Sequence, residues 1–157
     1  MAYDINDYTI GKGVCSISTD GVAWTDLGNC PVFEFTPDVK LLDHYSSRTG
    51  VKTKDFTAVQ ELSGKLKIKF DSINDFNMGL ALLAQDGLIL ANALAYYYVR
   101  FIGGNTIGNQ ITTTFPKVLL TPNSAIPFIN DGFMEVDLDG QVLANDSGVF
   151  GSYSFAT

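Results

Sequence analysis

The residue types of a hydrolytic triad lie side by side in one stretch of this chain. Residues 37–55, PDVKLLDHYSSRTGVKTKD, contain the only histidine, His44, directly after Asp43 and just before Ser46 and Ser47. Catalytic triads are assembled in space from separate segments, so adjacency in sequence is the wrong signal for one. The sequence also lacks a Gly-x-Ser-x-Gly nucleophile turn. We therefore expect a hydrogen-bonding polar loop here, no catalytic residue and no enzyme activity.

Metal and cofactor sites have as little support. One histidine and two cysteines that are fifteen residues apart fit no zinc spacing, and no calcium-loop pattern occurs. The glycine-rich segment GGNTIGNQ, residues 103–110, precedes a predicted strand and lacks the Lys-Ser/Thr pair of a phosphate-binding loop. We expect a hairpin loop there, and neither a metal nor a cofactor.

Cys15 and Cys30 allow two interpretations. As reduced thiols they would be small buried hydrophobic residues. Symmetric pairing about a predicted turn at residues 20–21 places Cys15 near Asp26, so an intrachain disulfide is not indicated. The alternative is a disulfide between subunits, formed after release from a reducing cell, which would crosslink an assembly.

The elements around these residues are mostly short strands. Residues 14–28 predict a hairpin with its turn at Asp20-Gly21, and PVFEFTP predicts a short strand before the long loop. Pro116 predicts a bulge or an edge in the strand of residues 109–122. The other predicted strands are residues 51–60, 62–72, 96–102, 132–146 and 149–157.

One helix is predicted over residues 71–87. Asp71 or Ser72 is the expected cap, Asp75 suits the first turn, and Gly87 ends the helix. We therefore predict a mainly β fold of two packed antiparallel sheets, sandwich-like or barrel-like, with one flanking α-helix.

Length and charge narrow the class of protein further. The 157 residues suit a single domain. The sequence has no run of eighteen apolar residues, so we predict no membrane span. The start of the chain has no signal-peptide pattern, so we expect folding in a cytoplasm. Residues 40–70 carry seven Lys or Arg against three acids, whereas the whole chain has a net charge of −7. This distribution disfavours nucleic-acid binding and favours either self-association or plain solubility.

Two long segments carry a resemblance to a known family. The first is DLGNCPVFEFTPDVKLLDHYSSRTGVKTKDFTAV, with an acidic-Leu-Gly-Asn turn, a strand ending in Thr-Pro and an aromatic-Ser-Ser-Arg-x-Gly run. The second is YYVRFIGGNTIGNQITTTFPKVLLTPNSAIPFINDGFMEVDLDGQVLAND, with a Phe-Pro strand, a Pro-containing turn and a late Gly-x-Val-Leu strand end. In the order and spacing of these features the chain resembles the major tail tube proteins of tailed bacteriophages, although Cys30 lies outside that pattern.

The resemblance implies hexameric rings that stack into a hollow tube, through which genomic DNA passes without specific binding. The implied partners are copies of this chain and other tail proteins, such as a terminator, a baseplate or tip, and a sheath where one exists, with no membrane. The implied location is the virion, assembled in the bacterial cytoplasm. It also implies that residues 37–55 are a loop reaching the neighbouring ring, and long loops in compact domains are usually functional or disordered. The expected stacking residues are Leu41, Leu42, His44, Tyr45 and Arg48.

Two charged ladders alternate with apolar residues, one of lysines and one of carboxylates. If both strands belong to one sheet, the ladders can neutralise each other as cross-strand pairs. If only one ladder faces the lumen of a tube, the acidic one is favoured because it repels phosphate, which places the lysines on the exterior or against a neighbouring subunit. The lysines are Lys65, Lys67 and Lys69, and the expected lumen residues are Glu135, Asp137 and Asp139.

Other functions remain open from the sequence. Another tail-tip, neck or secretion-tube protein of related fold would share these features. A small ligand-binding β-barrel would instead be a monomer with an ordered apolar cavity and a short loop at its opening.

Overall fold

The computed structural model describes residues 8–156, which form eight β-strands and one α-helix. The mainly β fold with one helix is therefore confirmed. That helix has seven residues, and no helix in the described part of the chain is long and apolar enough to cross a membrane. In chain order the elements are β1 Gly13–Ser18, β2 Thr25–Asp26, β3 Val32–Ser46, β4 Thr53–Phe70, α1 Asp75–Ala81, β5 Tyr96–Gly103, β6 Gln110–Pro122, β7 Val136–Val142 and β8 Ser152–Ala156.

The strands form a single antiparallel sheet that curls on itself. Its order is β2-β1-β5-β6-β7-β4-β3, and β8 pairs with β6. The ring of Phe33 in β3 stacks on that of Phe101 in β5, with centroids 5.3 Å apart. Phe35 packs on Phe115 of β6 at 4.9 Å. One end of the sheet thus packs on the inner face of the other half, and the described strands do not divide into the two sheets that the sequence predicted.

The hydrophobic core fills the inside of this curl. Alternation along the strands works as the sequence predicts, since Leu66, Ile68 and Phe70 of β4 are buried while the lysines between them point away. Val136 and Leu138 of β7 are buried in the same way.

Pro116 lies at an irregularity in β6, as predicted. The pairing of β6 with β5 shifts register between Tyr97 and Val99, which are opposite Val118 and Phe115. On its other edge β6 pairs with β8 before this point and with β7 after it. A residue without an N–H is tolerated there because it falls between the two ladders.

The helix is shorter than predicted and has a different cap. The side chain of Asn74, rather than that of Asp71 or Ser72, accepts a hydrogen bond from the Asn77 amide. Asp75 lies in the first turn, as predicted. The helix ends at Ala81, well before Gly87, because the backbone becomes left-handed at Leu83, with φ of 50°.

The predicted long loop is a β-hairpin in the structure. β3 and β4 pair with each other from Val32↔Lys69 to Ser46↔Thr53, with two register shifts, so residues 37–55 are strand except for the turn at 47–52. β4 pairs with β7 only over Gly64–Phe70. We call residues 37–63 the arm, because there the two strands pair only with each other among the described residues.

Candidate assembly surfaces

The arm extends the sheet far beyond the core. At the usual strand rise, its outgoing strand of residues 37–46 spans about 30 Å. A two-stranded hairpin on its own is marginally stable in water, because neither face is covered and both outer edges are unpaired. The arm of an isolated subunit therefore lacks the packing that stabilises the rest of the sheet.

Much of the arm surface is apolar and exposed. Opposite residues of an antiparallel pair share a face, and Val39 pairs with Leu62 as Leu41 pairs with Val59. These four side chains make one apolar arm face, which continues the core-facing side of the sheet from Phe35 outwards. The exposed large apolar residues of the arm are Val39, Leu41, Leu42, Tyr45, Val51, Phe56, Val59 and Leu62.

Polar contacts near the turn hold the two strands of the arm together. Lys54 Nζ lies 2.7 Å from Asp43 Oδ1, which also accepts a hydrogen bond from the Thr57 hydroxyl. The bond from Lys54, followed by that from Thr57, lowers the pKa of the Asp43 carboxyl, and Asp43 raises the pKa of Lys54. His44 Nδ1 lies 2.6 Å from Asp55 Oδ1, on the other face from Asp43.

The structure does not bring together the side chains of a hydrolytic triad from residues 43–47. His44 contacts Asp55, whereas Asp43 contacts Lys54 and Thr57. Within residues 8–156 no group of three His, Cys, Asp or Glu side chains converges on a place for a metal ion.

The predicted stacking residues are all on the arm or its turn. Leu41 lies on the apolar arm face, while Leu42 and His44 lie on the opposite face and Tyr45 lies at the end of β3. Arg48 is in the turn. The sequence missed Val59 and Leu62, because the register shift at Lys40/Leu41 puts these two residues, three apart in the chain, on one face and no strand alternation marks them.

The two charged ladders lie on the same face of the sheet, opposite to the core. Lys67 pairs directly with Asp139, and Lys69 with Asp137. The Lys69 ammonium lies 2.9 Å from Glu135 Oε2, which raises the pKa of Lys69, and 3.8 Å from Asp137 Oδ1. The expectation that the lysines face a different surface from the carboxylates is wrong, because β4 and β7 are neighbours in register.

The two cysteines lie against each other inside one subunit. Cys15 is 1% exposed and Cys30 packs at the edge of the same core cluster. A hydrogen bond between the two sulfurs, together with burial, raises the pKa of Cys15, and the same bond lowers that of Cys30. Asp26 pairs with Ser16, one residue away from the predicted Cys15, and the chain then turns back at Gly28, with φ of 78°, and returns Cys30 to Cys15. The expectation that the two residues lie apart is therefore wrong, whereas both thiols are free in the structure, as in the first interpretation.

Comparisons with known proteins give distant structural matches only. No family model and no curated protein matches the chain. One similar solved structure is the tail of an empty gene transfer agent particle with C6 symmetry, at 12% identity and a TM-score of 0.46, over 92% of this chain and 96% of that one. Another is the virion of a native gene transfer agent particle, at 10% identity and a TM-score of 0.48, over 92% and 95%.

Because both TM-scores are below 0.5, these matches carry no argument about what this chain does.

Proposed function

We propose that the chain is a structural protein that assembles with copies of itself into stacked rings, forming the hollow tail tube of a phage-like particle. The single observation that carries this proposal is the arm. Monomeric proteins rarely expose apolar patches larger than a few hundred Å², and such patches mark interaction sites. Eight large apolar side chains on an unsupported hairpin require a partner surface, and a ring stacked on the next supplies one at every position.

The number of subunits and the path of the DNA follow from the sequence resemblance. It supports a sixfold ring, whose location would be the virion after assembly in the host cytoplasm. The arm, with Leu41, Leu42, His44, Tyr45 and Arg48, would bridge successive rings. Other tail proteins would bind at the two ends of the tube, where the last ring has no neighbour.

The outer face of β4 and β7 supports a lumen that does not retain DNA. Two of the three lysines in its ladder lie beside carboxylates, Lys67 opposite Asp139 and Lys69 next to Glu135. A phosphate backbone gains affinity from cations that are free to replace its counterions, and paired lysines offer little of this. Glu135, Asp137 and Asp139 are the proposed lumen residues, with the lysine ladder beside them.

A shortened arm tests the proposal. Replacing residues 41–60 by Asn-Gly leaves Lys40 and Glu61 as the pair next to a two-residue turn, which suits a hairpin. We expect negative-stain microscopy to show stacked rings or tubes for the full chain, and folded protein without stacking for the shortened one. A full chain that stays a featureless monomer at high concentration would overturn the proposal.

The same images address the alternative of a small-ligand barrel. The apolar groove at the arm end of the curl, about 390 Å³ and lined by Phe35, Phe115, Phe150 and Tyr153, is the space such a protein would use. A ligand carrier has no need of an arm of this length, so it should remain monomeric with or without the arm.

A further inference from the structure

We infer that the turn of the arm docks in a groove at the opposite end of a second copy of this chain, between α1 and the segment that follows it. This inference rests on the proposed function and names the surface that receives the arm. The groove holds about 500 Å³ and is walled by apolar side chains, among them Phe76, Leu80 and Leu82, with the carboxylates of Asp75 and Asp86 in its lining.

The strand order places the arm turn and the groove at opposite ends of the molecule. Phe70 of β4 is opposite Val136 of β7, and Leu138 of β7 is opposite Pro122 of β6. The segments that follow Phe70 and Pro122 therefore leave the sheet at the same end. The arm extends the other way, past the level of Gln110. Copies placed head to tail along the strands bring the turn of one to the groove of the next, which is a repeating contact.

Charge at the two ends is complementary. The turn of the arm carries Arg48 and Lys52, neither of which has an ion-pair partner among the described residues. The loops at the groove end, residues 19–24, 71–95 and 123–135, contain no Lys or Arg. Complementary potentials of this kind orient two surfaces and select one register between them. The acidic residues of those three loops are Asp20, Asp71, Asp75, Asp86, Asp131 and Glu135.

Apolar surface accompanies the charge at both ends. Val51 is exposed in the turn beside Lys52. At the groove end, Ile129 and Phe133 are 98% and 93% exposed, and exposed apolar surface that lies together in this way marks an interaction site. The other exposed large apolar residues in the loops 71–95 and 123–135 at this end include Leu88, Ile89, Leu90, Leu94 and Phe128.

The backbone that forms the groove is held in an unusual conformation. Leu83, Asp86 and Leu90 have φ of 50°, 51° and 61°, which non-glycine residues rarely adopt. Backbone in such regions persists where the surroundings fix it, and it is found preferentially at functional sites. Hydrogen bonds from the Leu90 and Asn92 amides to the carbonyls of Leu82 and Leu83 fix this segment.

Paired charge reversals test the docking. Lys52→Glu places an acid in the turn, and Asp75→Lys places a cation in the groove. We expect each variant alone to raise the protein concentration needed for tube formation about tenfold, because like charges then meet at every stacking contact. The chain with both changes restores opposite charges in exchanged positions and should assemble close to the parent concentration. Lys12→Glu and Asp146→Lys are matched controls outside the turn and the groove.

The outcomes separate this inference from the proposed function. If the parent forms no rings or tubes, the proposed function itself is wrong. If the parent forms tubes but either single reversal leaves tube formation unchanged, or the combined variant is as defective as the two singles, the groove does not receive the arm. Asp86→Asn, which keeps a side chain that tolerates positive φ, supplies the groove test should Asp75→Lys fail to fold. It should weaken stacking and reduce its dependence on salt.

Discussion

Replacing the central pair of the apolar arm face should weaken assembly without unfolding the subunit. Leu41 and Val59 lie directly opposite each other and are 54% and 59% exposed. Burying a whole Leu or Val side chain contributes about 1.5–3 kcal/mol, so covering the remaining half of each contributes on the order of 1 kcal/mol. Leu41→Thr with Val59→Thr removes most of this while keeping residues that favour strands.

The expected loss converts into a measurable concentration. About 2 kcal/mol per stacking contact corresponds to roughly a 30-fold higher critical concentration for assembly. Ultracentrifugation of tubes from free subunits over a dilution series measures it directly. Ile107→Thr is the matched control, since Ile107 is 50% exposed in the loop between β5 and β6.

Circular dichroism and thermal unfolding of the dilute subunit show whether the fold survives. We expect both variants to unfold near the temperature of the parent, because none of the three side chains is in the core. A folded double variant that forms tubes at the parent's critical concentration would contradict this role of the apolar arm face. An equal effect of Ile107→Thr would contradict it as well.

Three further predictions concern the subunit alone. Oxidised glutathione should convert Cys15 and Cys30 into an intrachain disulfide, which stabilises the subunit by about 3 kcal/mol against denaturant; a non-reducing gel dominated by dimers would contradict this. The amides of Val22 and Ala23 lower the pKa of Asp20 from 3.8, so its contribution to stability is present above pH 3.8 and is lost as pH falls through the folded-state pKa; Asp20→Asn should remove that part of the acid dependence of thermal unfolding. Asn77→Ala, which leaves two carbonyls without their buried donor, should lower the free energy of unfolding by about 2–4 kcal/mol in a urea titration, and a change below 1 kcal/mol would show that water replaces the amide.

The sequence predicted best where one face of a strand meets the core. The alternation in KLKIKF and MEVDLD places the buried and exposed sides of β4 and β7 correctly, because burial depends on that period. The arm has no buried side, so its sequence keeps no strict alternation, and residues 37–55 were taken for a loop although residues 51–60 and 62–72 were predicted as strands. Two bulges, at Lys40/Leu41 and at His44/Tyr45, further shift the pattern between its strands.

Contacts between segments that are distant in the chain could not be predicted from the sequence. Ser72 was a reasonable helix cap, but its hydroxyl accepts a hydrogen bond from the Asn29 amide, which leaves Asn74 as the cap. The contact of Asn29 with Ser72 also positions the next residue, Cys30, beside Cys15. Each outcome depends on where the connection after β2 turns, and a single-sequence pattern does not specify that.

The shared face of the two ladders changes what charge can do in a tube. Lys67 lies between Glu34 of β3 and Asp139 of β7, and Lys69 lies opposite Asp137, whereas Lys65 lies between Thr36 and Gln141. If the face lines the lumen, the carboxylates repel DNA and also prevent the neighbouring lysines from binding it. Asp137→Asn with Asp139→Asn should therefore leave stacking intact and slow the release of DNA from assembled particles.

The magnitude follows from counterion release at the unmasked lysines. Lys67 and Lys69 each lose one carboxylate neighbour, and two additional phosphate-binding cations make the affinity for duplex DNA change by up to roughly 12-fold more between 50 and 200 mM salt. The slowing should accordingly be strong at low salt and weak at high salt. Adding Lys65→Gln, Lys67→Gln and Lys69→Gln to the same chain should restore the parent rate, because no cation is left to hold the phosphates. Well-formed tubes of the asparagine variant that release DNA at the parent rate at low salt would show that this face lies away from the path of the DNA.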